Sequence, residues 1–377
     1  MTIKKNCQKV VVLAAGGTGG HIFPAEALAQ ILISRGYRLA FITDCNSSIL
    51  AGTLAELEFY RIYSGGLAGQ SIFVKLLNIL KLGLGFFQAK KTLKKLRPNV
   101  VVGFGGYASF PTVLAATMAG YRCVIHEQNA VLGTANRFLA KRVDKVATSF
   151  IQAQGISHLL KTKTKYIGMP VRKNFIKFRN FPYPSMNGNE PIVILILGGS
   201  QGARILSKVV PKALCLIESA LRSNVKVVQQ CRSEDIEEVK NLYAEQGMSA
   251  NLATFFEDIP ERMAAASLVI ARAGASTVAE LTTIGRPAIL IPYPFAIDKH
   301  QHLNAEALER VGACWLMEEE LLTSKKLAKK LNILLQNPTS LEKAATCARN
   351  IGCPSAASQL ANIVSSLSNT KTHALGA

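Results

Sequence analysis

Three glycine-rich runs stand where an apolar run gives way to a helical period: Gly16-Gly17-Thr18-Gly19-Gly20, Gly103-Phe104-Gly105-Gly106-Tyr107 and Gly198-Gly199-Ser200-Gln201-Gly202. Without a Cβ, such residues let backbone N–H groups close on a ligand, and the helix that follows adds partial positive charge. The chemistry this suits is holding phosphate or pyrophosphate oxygens. None of the three has the Gly-x-x-x-x-Gly-Lys-[Ser/Thr] spacing, which rules out a P-loop NTPase, and the first is not a clean Gly-x-Gly-x-x-Gly, so nicotinamide binding fits poorly. His21 follows the first run at the mouth of the loop, where an imidazole with an unperturbed pKa of about 6.5 suits acid/base work.

Two further groups carry chemistry. His126, Glu127, Gln128 and Asn129 lie at the end of an apolar run, where an open sheet presents its ligand, and four consecutive polar residues there read as a site in which one or two members brace the loop. In the second half, Gly274-Ala275-Ser276-Thr277 is a small-residue turn entering a helix that continues Val278-Ala279-Glu280. Its N–H groups suit a diphosphate, and Glu280 suits the two hydroxyls of a ribose, since a carboxylate offers two acceptor oxygens. The alternative for Glu280 is a helix-capping carboxylate. Gln301 and Asn304 stand at a helix start nearby. His300 and His302 are too close for an i, i+4 zinc pair, and no metal or other cofactor is expected.

The elements that must position these groups follow from the period of the apolar residues. Val10–Ala15, Leu39–Thr43, Val100–Gly103, Cys123–His126 and Lys145–Thr148 read as strands, with helices over Pro24–Arg35, Ile72–Leu96 and Pro111–Ala119 between them. Both faces of these strands are apolar, as in a parallel sheet covered by helices. Asn174–Pro191, with three prolines and several asparagines, reads as a linker. A second strand–glycine–helix series then begins at Pro191, with strands over Val225–Gln229, Leu268–Ala271 and Ala288–Ile291. Two α/β units of this kind predict a cleft onto which strand C-termini from both converge.

Composition narrows the partners. The chain has 377 residues, enough for two domains, with 49% apolar and 18% charged residues. Eight scattered cysteines without a Cys-x-x-Cys pair read as cytoplasmic thiols. The apolar residues 10–15 are a short run that Gly16 and Gly17 end, so no signal peptide is expected, and no apolar run is long enough to span a bilayer. The net charge of +20 must face something anionic: nucleic acid, a phosphorylated substrate or an acidic leaflet. Neither stacking platforms nor a nucleic-acid module is legible, so nucleic acid is not expected. Within residues 72–97, Phe73, Leu76, Leu80, Leu84 and Phe87 mix with Lys75, Lys81, Lys90, Lys91, Lys94 and Lys95. That mixture suits a segment part core and part facing an anionic membrane surface.

With these pieces placed, the chain resembles the MurG family, glycosyltransferases of bacterial cell-wall synthesis. The matching text is "GGTGGHIFPA", "GFGGYASFPTVLAA", "HEQNAVLGTANRFLAK", "GMPVR", "GGSQGAR", "ARAGASTVAE" and "PYPFAIDKHQHLNA", in family order from residue 16 to about 305. The resemblance implies an α/β, GT-B fold: two Rossmann-like domains with parallel sheets facing a central cleft. Residues 1–173 would form the acceptor-binding, membrane-associating domain, 174–191 the linker and 192–350 the UDP-sugar domain. Residues 351–377 would carry a helix returning to the first domain.

It also implies inverting, metal-independent transfer of N-acetylglucosamine from UDP-N-acetylglucosamine to the C4 hydroxyl of undecaprenyl-diphosphate-linked muramyl-pentapeptide, lipid I to lipid II. The enzyme would sit peripherally on the cytoplasmic face of the inner membrane. Carried over residue by residue, Thr18, Gly19, Gly20, Asn129, Arg172, Ser200 and Phe256 are donor contacts. Ala275, Ser276, Thr277, Val278, Ala279 and Glu280 would hold the nucleotide, with Gln301 near the sugar. Gly16, Gly17, Gly105, Gly106 and Tyr107 would face the acceptor diphosphate. His21 is the base by analogy, with Glu127 as the alternative. Two positions depart from the family pattern: Ala273 replaces a common serine, and Phe256 stands where a smaller aliphatic residue is frequent. Another GT-B UDP-sugar transferase with a lipid or small-molecule acceptor is the alternative reading.

Overall fold

The run Val10-Val11-Val12-Leu13-Ala14 forms the first strand, β1, buried along its whole length in the computed structural model. β-Branched residues on both faces suit the interior of a parallel sheet. The structure describes residues 8–45, 52–66, 72–186, 190–199 and 202–370. The chain divides into two compact units, one made of residues up to Arg172 with those from Pro354 on, the other of Lys173–Cys353.

In the first unit β1 leads to α1 (Gly19–Ser34), β2 (Arg38–Thr43), β3 (Glu58–Arg61), α2 (Ile72–Leu96) and β4 (Val100–Gly103). Then come α3 (Ser109–Met118), β5 (Arg122–Glu127), α4 (Thr134–Ala140), β6 (Lys145–Thr148) and β7 (Thr164–Tyr166). The seven strands are ordered β3-β2-β1-β4-β5-β6-β7, and every neighbour pair is parallel. The order reverses between β1 and β4, paired with Ala14 beside Gly103. At such a switch point the connections leave in opposite directions and open a crevice beyond the strand C-termini. The first two glycine runs begin there.

The helix expected from Pro24 begins five residues earlier, at Gly19. Thr18 is extended, and its carbonyl accepts from the N–H groups of His21 at 2.9 Å and Ile22 at 3.0 Å, so the helix is under way before the proline. Pro24 removes one backbone bond, which burial of Ile22, Ala25, Leu28, Ala29 and Leu32 outweighs. His21 therefore lies in the first helical turn.

The second unit runs α5 (Lys173–Ile176), β8 (Ile192–Leu197), α6 (Arg204–Cys215), α7 (Ser219–Arg222), β9 (Val225–Gln230), α8 (Ile236–Glu245) and β10 (Ser249–Ala253). It continues through α9 (Ile259–Ala265), β11 (Leu268–Ala271), α10 (Ala275–Ile284), β12 (Ala288–Leu290), α11 (His300–Glu309) and β13 (Cys314–Leu316). Helices α12 (Ser324–Leu335) and α13 (Pro338–Ile351) complete it. Its parallel strands are ordered β10-β9-β8-β11-β12-β13, reversing between β8 and β11 with Leu197 beside Ala271. The third glycine run and the Gly274 turn leave from those two strands.

The final helix, α14 (Ala356–Asn369), belongs to the first unit. Its Leu360, Ala361, Ile363 and Val364 share one apolar cluster with Val11, Leu13, Leu28 and Leu32. The Tyr37 hydroxyl lies 2.9 Å from that of Ser368.

Candidate active site

In the first unit the two glycine loops interlock around His21. The Gly16 N–H donates to the Gly105 carbonyl at 3.1 Å, and the Phe104 N–H to the Ala14 carbonyl at 2.8 Å. Gly106 has φ +78°, and a Cβ on it would fall 2.7 Å from the Gly16 Cα and 3.2 Å from His21 Nδ1. Only glycine satisfies both the backbone conformation and the contact. His21 Nδ1 lies 2.8 Å from the Thr18 hydroxyl, which fixes the ring beside the loops. The Cβ direction of Gly105 passes 3.3 Å from His21 Nε2 and 3.5 Å from Gln128 Oε1. Gly16, Gly17, Thr18, Gly19, Gly20, Gly105, Gly106, His21 and Gln128 thus share one corner, beyond the β1–β4 switch point. Tyr107, at the end of the second loop, is exposed, its ring lying against Gly66.

The His126–Asn129 run divides by function. Glu127 is buried, and both its oxygens are taken. Oε1 accepts from the Asn129 N–H at 3.0 Å and Asn129 Nδ2 at 3.3 Å, Oε2 from the Gly133 N–H at 3.0 Å and Asn136 Nδ2 at 2.8 Å. Four donors fix the carboxylate in place and tie it to the start of α4. Gln128 donates to the Phe104 carbonyl at 2.6 Å and ties β5 to the second glycine loop. His126 is fully buried, with Nε2 3.2 Å from the Gly168 carbonyl, while Nδ1 has no hydrogen-bond partner among the described residues. Burial pulls its pKa down to about 4, assisted by the charge of His21, so the ring is neutral at physiological pH. Three of the four polar residues brace the scaffold; half-buried Asn129 is the member left nearer the surface.

Arg172 lies over the ring of Phe23, in the first turns of α1, at 4.1 Å. Its charge pulls down the pKa of Glu26, which burial raises on balance. Phe23 in turn covers Gly19, where a Cβ would sit 3.0 Å from the ring. The sequence reading did not single out Phe23 and Glu26; their i, i+3 spacing on the first turns of a glycine-led helix was the available signal.

In the second unit the Gly274 turn is an open helix start. Gly274 is the N-cap residue with no side chain to accept from the first turn, so the N–H groups of Ala275, Ser276 and Thr277 face outward from α10. The Ser276 hydroxyl is buried and has no hydrogen-bond partner among the described residues. A buried hydroxyl without a partner beside open N–H donors suits an anionic group. Val278 and Glu280 are buried in the same helix and Ala279 is half-buried. The Ala273 carbonyl accepts from Asn304 at 3.1 Å, which fixes α11 against the turn. Gln301 accepts from the Tyr293 N–H at 2.9 Å, turning its amide nitrogen away from that loop. Two consecutive non-glycine residues, Asp298 and Lys299, hold φ of +52° and +50° just before α11. Such backbone strain concentrates at ligand-holding loops.

Two more of the expected donor contacts belong to this unit. The Phe256 ring is buried, with the Arg262 guanidinium over it at 4.1 Å, and neighbouring Phe255 is the exposed ring. Ser200 lies outside the described residues, with Gln201. Arg272 was also passed over: it donates to the Ile291 and Pro292 carbonyls at 3.2 and 3.1 Å and steadies the loop that carries Tyr293.

Helix α2 divides along its length. Ala89, Leu93 and Leu96 are buried in the core, whereas Phe73, Leu80, Leu84 and Phe87 are 85%, 61%, 56% and 67% exposed. A contiguous apolar face of this kind on a lysine-bearing helix marks an interaction surface. No helix among the described residues is long and apolar enough to cross a membrane.

Comparison with known proteins places the fold in a family. The glycosyltransferase family 28 N-terminal domain matches residues 11–148 and the family 28 C-terminal domain residues 193–363. The second match runs into α14, which packs on the first unit. The UDP-N-acetylglucosamine--N-acetylmuramyl-(pentapeptide) pyrophosphoryl-undecaprenol N-acetylglucosamine transferase of Paramagnetospirillum magneticum is 53% identical, over 94% of this chain and 96% of its own. The protein of the same description from Rhodospirillum rubrum is 49% identical over 94% and 91%. Among solved structures, MurG of Acinetobacter baumannii is 30% identical with a TM-score of 0.76, covering 95% of this chain and 99% of its own. The calicheamicin glycosyltransferase CalG4, at 14% identity and a TM-score of 0.66, shares the fold. The chain belongs to glycosyltransferase family 28, has the two Rossmann-like domains of the GT-B class, and falls within the MurG group of that family.

Proposed function

We propose that this protein transfers N-acetylglucosamine from UDP-N-acetylglucosamine to the C4 hydroxyl of N-acetylmuramic acid in undecaprenyl-diphosphate-linked muramyl-pentapeptide, with inversion, converting lipid I to lipid II. The observation that carries the reading is the near-full-length likeness to transferases described by that reaction. The geometry supports it with two separate anion-suited turns, one beyond each switch point.

The acceptor diphosphate lies against Gly16, Gly17, Gly105, Gly106 and Tyr107. His21, held by Thr18, takes the proton as the C4 oxygen attacks the anomeric carbon. The bond from that carbon to the UDP oxygen breaks, and the charge on the departing diphosphate falls to the first-turn N–H groups of α10 and the Ser276 hydroxyl. Glu280 accepts from the ribose hydroxyls and Gln301 from the sugar's hydroxyls or donates to them. Thr18, Gly19, Gly20, Asn129 and Arg172 complete the donor contacts. The exposed face of α2 and its lysines hold the enzyme peripherally on the cytoplasmic face of the membrane, where the lipid-linked acceptor resides.

The deciding experiment is transfer of radiolabelled sugar from UDP-N-acetylglucosamine to a short-chain lipid I analogue. A labelled disaccharide product with a β linkage is expected. Transfer to other lipid or small-molecule acceptors but not to the lipid I analogue would overturn the assignment.

A further inference from the structure

The far end of α10 is held by side chains from outside the helix. The helix stops at Gly285, φ +79°, where a Cβ would fall 2.7 Å from the Arg349 side chain. Helix-terminal carbonyls lack intrahelical partners, and here three guanidinium groups supply them. Arg179 Nη1 donates to the Thr283 carbonyl at 3.2 Å, Arg349 Nη2 to that of Ile284 at 3.4 Å, and Arg286 Nη1 to that of Gly285 at 3.0 Å. Arg286 is fully buried and also donates to the Ala264 carbonyl at 3.0 Å and the Pro182 carbonyl at 2.9 Å. Burial lowers its pKa to about 10, which leaves it charged at neutral pH. None of the three pairs with a carboxylate among the described residues.

The contacts also fasten the segment between α5 and β8, which its sequence suggests is a loose linker. Arg179, from that segment, bridges two helices with one planar group, donating to Thr283 of α10 and, at 3.0 Å, to the Arg349 carbonyl of α13. Arg349 returns a bond to the Phe181 carbonyl at 3.0 Å. The Tyr183 hydroxyl donates to the Ser267 carbonyl at 2.6 Å. Helix α10 is thus fixed at its C-terminus and left without a cap at its N-terminus, where the diphosphate is proposed to sit. A ten-residue helix is a rigid rod of about 15 Å, so its C-terminal placement sets where the open N–H groups point.

We infer that Arg179 is a positioning residue for the donor: by bridging the last turns of α10 and α13 it sets the orientation of the Ala275–Thr277 turn that receives the nucleotide diphosphate. This rests on the donor site proposed above. The test uses the full chain with Arg179→Gln and Arg179→Lys, reading UDP affinity by calorimetry, donor and acceptor KM, kcat and the melting temperature. A turn displaced from the diphosphate loses contacts to the bound nucleotide and to the leaving group alike, so Arg179→Gln is expected to weaken UDP binding and raise donor KM about tenfold and to lower kcat, with acceptor KM within about twofold.

Lysine keeps the charge but replaces the wide planar fork, whose two nitrogens each serve one helix, with a single nitrogen on a shorter reach, so Arg179→Lys should recover only part of the loss. A lower melting temperature with unchanged UDP affinity and donor KM would overturn the inference, as would full recovery by lysine. Calorimetry with UDP does not need turnover. An unmodified protein that binds UDP but transfers nothing to the lipid I analogue would count against the reaction and leave the Arg179 comparison readable. One that does not bind UDP would overturn both.

Discussion

Replacing Glu127 with glutamine tests whether its carboxylate is an anchor or a proton acceptor. Four donors point at it, two per oxygen, at 2.8 to 3.3 Å. An amide keeps the shape but turns one oxygen into an NH2 group that cannot accept. If that group takes the Oε2 position, Asn136 can turn its own Oδ1, which is buried and unpartnered, to receive it. The Gly133 N–H is then left facing a donor. A buried unsatisfied N–H costs about 1–3 kcal/mol, and loss of charge assistance on the surviving bonds adds about 1 kcal/mol.

A total of about 3 kcal/mol is expected, lowering the first unit's melting temperature by about 6–12 °C. Calorimetry reads that shift, and kcat measured well below either transition reads the chemistry. An anchor predicts kcat within about tenfold of the parent and an unmoved pH–rate profile. A general base predicts a loss of about 10²–10⁴. A hundredfold loss of kcat with an unchanged melting temperature would refute the anchor and return the proton to Glu127.

Other perturbations have equally definite outcomes. His126 is neutral in the fold, with its pKa near 4 against about 6.5 when unfolded, so the unfolded chain binds the extra proton between those values. Its contribution is complete above pH 6.5 and is lost as pH falls toward 4, about 3 kcal/mol in all; His126→Gln should flatten this part of a stability–pH curve measured by urea unfolding. Gly106→Ala places a Cβ 2.7 Å from Gly16 in a left-handed conformation, and about 3 kcal/mol of combined strain and displacement should raise acceptor KM while leaving UDP affinity unchanged. Removing two exposed apolar groups of α2 with Phe73→Ser and Leu80→Ser should cost about 3 kcal/mol of interfacial burial, roughly a hundredfold in partition to anionic vesicles in a sedimentation assay, with the melting temperature unchanged. His21→Ala should lower kcat by about 10²–10⁴ without the thermal loss expected for Glu127→Gln.

The interior of each sheet was legible because parallel strands buried on both faces write themselves as apolar runs; β1, β4, β8 and β11 all do. The flanking strands do not. β3 is Glu-Phe-Tyr-Arg and β10 is Ser-Ala-Asn-Leu-Ala, both only partly buried, so neither shows a run or a clean alternation. The start of α1 was hidden for a related reason, since two glycines and a proline in its first six residues argue against a helix that tertiary burial nevertheless imposes.

The glycine turns were legible in the candidate site because only glycine suits them. The roles of the polar residues were not, because a role depends on how many partners the fold supplies, and those partners are distant in sequence. Nothing in "IGRPAIL" marks Arg286 as buried, yet carbonyls from Pro182 and Ala264 enclose it. Glu127, conspicuous beside His126 and Gln128, has four donors and little left to offer a substrate. Ser276, inconspicuous among small residues, has a buried hydroxyl with no partner at the mouth of an uncapped helix. Ranking the two by chemical type puts the carboxylate first; ranking them by unspent hydrogen-bonding capacity reverses the order, and a ligand binds to the capacity that the fold has not already used.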